Sequence, residues 1–131
     1  MAKILVIEDD DQCRGLFREI LESQGYEVSE ARNGKEGIAA MRVSPADLIV
    51  TDILMPEMDG FECIMAVQKE FPHVKVIAIS AAMTNKFFDF LPLAKKLGVC
   101  RTITKPFELS TLLHAVEEEL PVESLSLFDE Y

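Results

Sequence analysis

Cysteine, basic charge and long apolar runs are all scarce in this chain, and each scarcity excludes a class of function. The three cysteines, Cys13, Cys63 and Cys100, are odd in number, far apart and in no C-x-x-C arrangement, so neither a disulfide framework nor a zinc site is indicated. They are read as small buried thiols of a reducing cytoplasm. Lys and Arg number 13 against 23 Asp and Glu, a net charge of −10, and direct nucleic-acid binding requires a cationic surface instead. Six of the acids (Glu117, Glu118, Glu119, Glu123, Asp129, Glu130) lie at the C-terminus without a basic residue among them, leaving about −4 for residues 1–116. No apolar run approaches the roughly 18 residues of a membrane helix. The opening MAKILVIEDD reaches its acids too early for a signal peptide.

What is present fits one globular domain: 131 residues, 49% apolar and 27% charged, without internal repeats or low-complexity segments. The domain is placed at residues 1–120, with an acidic tail at 121–131. Short apolar or β-branched runs at 3–7, 26–28, 47–51, 74–79 and 100–103 read as strands. Helix-length segments separate them. Cys13, Leu16, Phe17, Ile20 and Gln24 form an amphipathic stripe closed by Gly25. Asn33-Gly34 opens a second helix with Gly37, Ile38 and Met41 on one face, stopped at Ser44-Pro45. A third starts at Asp59-Gly60, carries Phe61, Ile64, Met65 and Gln68, and ends at Phe71-Pro72. Pro92, favourable only at a first helical position, sets a short helix at 92–97. The last helix follows Pro106, carries Leu109, Leu112, Leu113 and Val116, and stops before Pro121. Such alternation predicts an α/β fold with a doubly wound, flavodoxin-like parallel sheet of five strands in the order 2-1-3-4-5, and helices on both faces. Its ligand crevice is expected at the carboxyl ends of strands 1 and 3.

That edge is where the reactive side chains fall. Strand 1 runs into Glu8, Asp9 and Asp10, strand 3 into Asp52, strand 4 into Ser80 and strand 5 into Lys105. Gathered carboxylates repel unless a proton or cation intervenes, and hard oxygen ligands in a small crevice suit Mg²⁺. An aspartate can act as the nucleophile of phosphoryl transfer, with a metal and a lysine neutralising the equatorial oxygens. On this reading Asp52 is the acceptor, Asp9 the main metal ligand, Glu8 a second acid at the metal, Lys105 the cationic clamp and Ser80 a hydroxyl donor. Asp10 and Asp11 are read as first-turn acids of the first helix.

The segments ILVIEDD (4–10), DLIVTDILMPEMDG (47–60), VIAISA (76–81) and TKPF (104–107), in this order and at these separations, closely resemble the receiver domain of two-component response regulators over roughly residues 2–119. The resemblance implies phosphorylation of Asp52 by a histidine kinase or a histidine phosphotransfer protein. It further implies metal ligation by Asp9, Asp52 and the backbone carbonyl of Leu54, with Glu8 completing the acidic pair, contacts from Ser80 and Lys105 to the attached phosphoryl group, and a cis Lys105-Pro106 bond. Receivers often carry an aromatic switch residue three positions before the lysine; here that position is Thr102, whose small size is expected to leave a groove. Downstream partners are expected on the face formed by the fourth helix, the fifth strand and the last helix.

Two other functions compete. A Mg²⁺-dependent phosphohydrolase acting through an aspartyl-phosphate at Asp52 would commonly place a second acid two residues on, where this chain has Leu54. An interaction module that is never phosphorylated would not need every charged position filled. Met55-Pro56 is read as loop-shaping, His73 and His114 as surface or packing residues, and Phe87, Phe88 and Phe90 as core.

Overall fold

A computed structural model describes residues 2–53, 60–80, 96 and 98–120. Five parallel strands, β1 (Lys3–Ile7), β2 (Glu27–Ala31), β3 (Leu48–Asp52), β4 (Lys75–Ser80) and β5 (Arg101–Thr104), pair in the order β2-β1-β3-β4-β5. The described helices are α1 (Asp11–Ser23), α2 (Gly34–Val43), α3 (Gly60–Glu70) and α4 (Leu109–Glu119). Leu54, Met55, Pro56, Phe87, Phe88, Phe90, the proline of the predicted 92–97 helix and the tail 121–131 lie outside the described residues.

Strand alternation divides the interior into two layers. Leu5, Ile7, Ile49, Val76 and Ala78 face Ile38 and Met41 of α2 and Ile64 and Val67 of α3. On the other face Ile4, Val6, Val50, Ile77, Ile79 and Ile103 meet Phe17 and Leu21 of α1 and Leu112 and Val116 of α4. The predicted order and the helices on both faces are therefore those of the molecule. β1, β3 and β4 are buried almost throughout, whereas the outer strands are not. β2 buries only Val28 and Ala31, and β5 only Ile103. These strands close the described sheet and keep one edge toward water.

Local signals explain the helix bounds. Asp10 caps α1 by accepting from the backbone of Gln12 (2.9 Å) and Cys13 (3.0 Å), with Asp11 in the first turn. This is the role the sequence assigns to both acids. Gly25 follows the C-cap with φ +93°, a left-handed conformation that glycine adopts without strain. Asn33 caps α2 through the Glu36 amide (2.9 Å). Gly37 allows α2 to settle on the sheet, because a Cβ there would collide with the side chain of Ile7.

The faces of α1 and α3 need correction. Leu16 is 52% exposed while Leu21 is fully buried, and in α3 Met65 is 51% exposed while Cys63, Ile64 and Val67 are buried. In each helix the apolar residues span more than one stripe, and contact with the sheet selects the one that packs. The strand bounds also shift: β2 omits Tyr26 and extends to Ala31, and β5 begins at Arg101 and ends at Thr104. Of the cysteines only Cys63 is buried; Cys13 is half-buried and Cys100 exposed. Burial pushes the Cys63 thiol up to about 11.

Candidate functional site

Three charged residues extend one face of the sheet. Val6, Val50 and Ile103 point into the α1/α4 layer, and two residues further along each chain stand Glu8, Asp52 and Lys105. Register makes β1 and β3 neighbours, with Ile7 opposite Thr51, so Glu8 and Asp52 emerge side by side. Lys105 follows β5, which β4 separates from β3. Two strand spacings amount to about 9.5 Å, a gap that suits a long cationic side chain.

The lysine makes that crossing. Its Nζ donates to Asp52 Oδ2 and to Glu8 Oε1, each at 3.0 Å. Asp9 completes the group: one carboxylate oxygen from each of Glu8, Asp9 and Asp52 lies within 4.8 Å of the others. Glu8 is 2% exposed and Asp52 7%, whereas Asp9 faces water. At an effective dielectric of about 20, two unit charges at 4.8 Å repel by about 3.5 kcal/mol, and a pair at 3.0 Å attracts by about 5.5 kcal/mol. One lysine thus offsets much of the repulsion among three acids but leaves excess negative charge.

The ionisation of the site reflects this imbalance. Burial, followed by the neighbouring Asp9 carboxyl, raises the Glu8 pKa; the Lys105 hydrogen bond opposes the rise and the Asp52 charge adds to it. For Lys105, burial disfavours the ammonium, but its hydrogen bonds to Asp52 and Glu8 outweigh that and raise its pKa. The lysine stays charged across the physiological range.

The donor set fits a divalent, oxygen-seeking cation. Opposite ligands of Mg²⁺ lie about 4.2 Å apart, close to the 4.8 Å limit of the acidic cluster. The three clustered groups are all carboxylates, which favour Mg²⁺ over softer metals.

Ser80 ends β4 and is buried, and its carbonyl accepts the Lys105 amide at 2.7 Å. The Lys105–Pro106 bond is cis. Thr102 lines a groove of about 490 Å³ with Arg101, Ser110, Thr111 and His114, so the small residue leaves space against α4. His114 stands on the surface and pairs with Glu118 at 2.5 Å. Sequence reasoning overlooked Arg14, which donates to the Glu8 carbonyl at 2.9 Å. Its place one turn into α1, six residues after Glu8, was the available signal.

Comparison with known proteins identifies the family. The family model described as "Response regulator receiver domain" matches residues 4–117. The response regulator receiver protein CpdR of Brucella abortus is 34% identical, with 92% of this chain aligned to 98% of that protein. The sensor kinase CckA of the same organism is 36% identical over 91% of this chain, which spans only 12% of that protein's length. A CheY-like response regulator receiver domain structure from Methanospirillum hungatei superposes with a TM-score of 0.84 at 28% identity, covering 92% of this chain and 94% of the other. Among the described residues no helix is long and apolar enough to cross a membrane. The chain therefore belongs to the response regulator receiver domains of two-component signalling.

Proposed function

We propose that Asp52 accepts a phosphoryl group from the phosphohistidine of a histidine kinase or a histidine phosphotransfer protein, in a reaction requiring Mg²⁺, and that the adduct changes partner binding. The observation that carries this reading is the Lys105 ammonium held between Asp52 and Glu8, 3.0 Å from each.

In the transfer an Asp52 carboxylate oxygen attacks phosphorus, an O–P bond forms, and the P–N bond of the donor breaks with its electron pair passing to the imidazole nitrogen. Asp9 and Asp52, with the Leu54 carbonyl and with Glu8 directly or through water, would hold the ion. Bound Mg²⁺ supplies a Lewis acid that neutralises phosphoryl oxygens. Lys105 adds a second positive charge, already directed at the nucleophile, and the loose transition state of phosphoryl transfer asks for little beyond such positioning and charge. The Ser80 hydroxyl is the proposed donor to the attached phosphoryl group. Thr102 then responds without an aromatic ring, and the groove beside it on β5 and α4 belongs to the proposed partner face. The domain promotes only its own phosphorylation and dephosphorylation, and works in the cytoplasm.

Incubation with Mg²⁺ and acetyl phosphate, followed by intact mass, tests the proposal. A single phosphoryl adduct is expected on the wild type and none on Asp52→Ala. Absence of any adduct with acetyl phosphate and with phosphorylated histidine donors refutes it.

A further inference from the structure

Arg14 has no part in the chemistry above, yet its guanidinium is the most heavily committed cation beside the site. Only 12% of its side chain is exposed. Nη1 donates to the Glu8 carbonyl at 2.9 Å, Nη2 to Asp11 Oδ1 at 2.5 Å and Nε to Glu30 Oε1 at 3.2 Å. These acceptors belong to three elements: the turn after β1, the first turn of α1, and β2. Glu30 is itself anchored, since its other oxygen accepts from Arg18 at 2.6 Å.

The Glu8 carbonyl belongs to the peptide joining Glu8 to Asp9. Its amide neighbour on the other side, Glu8 N–H, still bonds to the Ala31 carbonyl at 3.0 Å, the last rung between β1 and β2. Beyond that rung the chain leaves the sheet, and the direction of the next peptide sets where two successive carboxylates point. We infer that Arg14 is a positioning residue: by fixing the Glu8–Asp9 peptide it holds both carboxylates in register with Asp52 for a divalent cation. This rests on the Mg²⁺ reading of the site. Among the described residues the hydrogen bonds of Arg14 go to the Glu8 carbonyl, Asp11 and Glu30, so it acts through the backbone that carries the ligands.

Electrostatics and positioning predict opposite signs, which makes the inference testable. Removing a positive charge near a cation site should strengthen Mg²⁺ binding if charge alone matters, whereas loss of a group that orients metal ligands typically weakens affinity 10- to 100-fold. Calorimetric titration of the metal-free protein with MgCl₂ compares wild type, Arg14→Ala, Arg14→Lys and Arg18→Ala. Arg18→Ala removes the same charge from the same helix and one anchor of Glu30, but has no bond to the Glu8 carbonyl.

The expected result is affinity about tenfold or more weaker in Arg14→Ala. Arg14→Lys should also be weakened, because an ammonium cannot span three acceptors as a planar guanidinium does, and Arg18→Ala should lie within about twofold of wild type or bind slightly tighter. In the metal-free protein the Glu8 amide should exchange faster in Arg14→Ala than in Arg18→Ala, a difference that activity measurements cannot produce. Arg14→Lys keeps the charge and most of the packing, so it serves if the alanine variant does not fold. Unchanged or tighter binding in the Arg14 variants, or an equal loss in Arg18→Ala, overturns the positioning role and leaves the metal reading intact. A wild-type protein that does not bind Mg²⁺ overturns both.

Discussion

Replacing Glu8 by Gln should make the metal-free protein more stable and the metal-loaded protein relatively less so. Glu8 is 2% exposed, and burying a carboxylate costs several kcal/mol even after relaxation. Asp52, within 4.8 Å, adds repulsion of about 3.5 kcal/mol at an effective dielectric of about 20. The neighbouring Asp9 carboxyl also disfavours the charged form of Glu8. Against these stands the Lys105 ion pair at 3.0 Å, about 5.5 kcal/mol on the same scale. Glutamine retains an oxygen to accept from Lys105, which keeps Asp52 as its counter-ion. The balance favours the variant by about 1 kcal/mol or more at pH 7, a rise in Tm of about 3–5 °C for a domain of this size.

The pH dependence has a definite sign. Glu8 has a folded-state pKa raised above its ordinary 4.5, so the folded protein binds that proton more tightly than the unfolded chain does. The wild-type penalty is full above the raised pKa and gone below 4.5. The gap between variant and wild type should therefore close as pH falls through that window. Mg²⁺ narrows the gap. At ten times the wild-type Kd the ion adds about 1.4 kcal/mol, and a tenfold weaker variant gains only about 0.4 kcal/mol. Thermal melts at pH 7 and pH 4, with and without MgCl₂, provide the assay. A Glu8→Gln protein that melts lower than wild type without metal at pH 7, or a gap that persists at pH 4, refutes the reasoning.

Two further predictions concern packing. Leu21→Ala should cost about 2–5 kcal/mol by opening a cavity in the α1/α4 layer, while Leu16→Ala, at a position 52% exposed, should change stability by less than about 0.5 kcal/mol; denaturant midpoints separate them. Gly37→Ala should destabilise by about 1–3 kcal/mol despite alanine's higher helix propensity, because the new methyl collides with Ile7, and a rise in the urea midpoint would contradict the packing of α2 on β1.

The parallel sheet was legible because β1, β3 and β4 are short apolar runs that alternate with helices and carry polar residues at their carboxyl ends, and the order chosen for it, that of the doubly wound pattern, is the one found. The α2 bounds were legible too, with Asn33 as a local start signal and Ser44-Pro45 as a stop that no distant contact has to supply. The facing of α1 was not. Leu16, Phe17, Ile20 and Leu21 offer overlapping stripes at helical spacing, and only packing into the layer that also holds Val6 and Val28 chooses Leu21 over Leu16. The second half of β2 hid behind Ser29 and Glu30, since an outer strand with a wet side need not look apolar. At the site, composition and position singled out the acids and the lysine. They did not reveal that Lys105 divides itself between Glu8 and Asp52, or that the Arg14 side chain grips the backbone of the turn, because both depend on groups 97 and 6 residues apart meeting in space.

The parity of Val6-Glu8, Val50-Asp52 and Ile103-Lys105 has an engineering consequence. All three charges continue the sheet face that α1 and α4 cover, so the opposite layer, beneath α2 and α3, contributes rigidity to the site without furnishing any of the three. That layer is a chassis that could be repacked or exchanged for another pair of helices with the carboxylates left in place. A single-residue deletion in β3, by contrast, would turn Asp52 to the wrong side of the sheet and uncouple it from its lysine even in a chain that still folds.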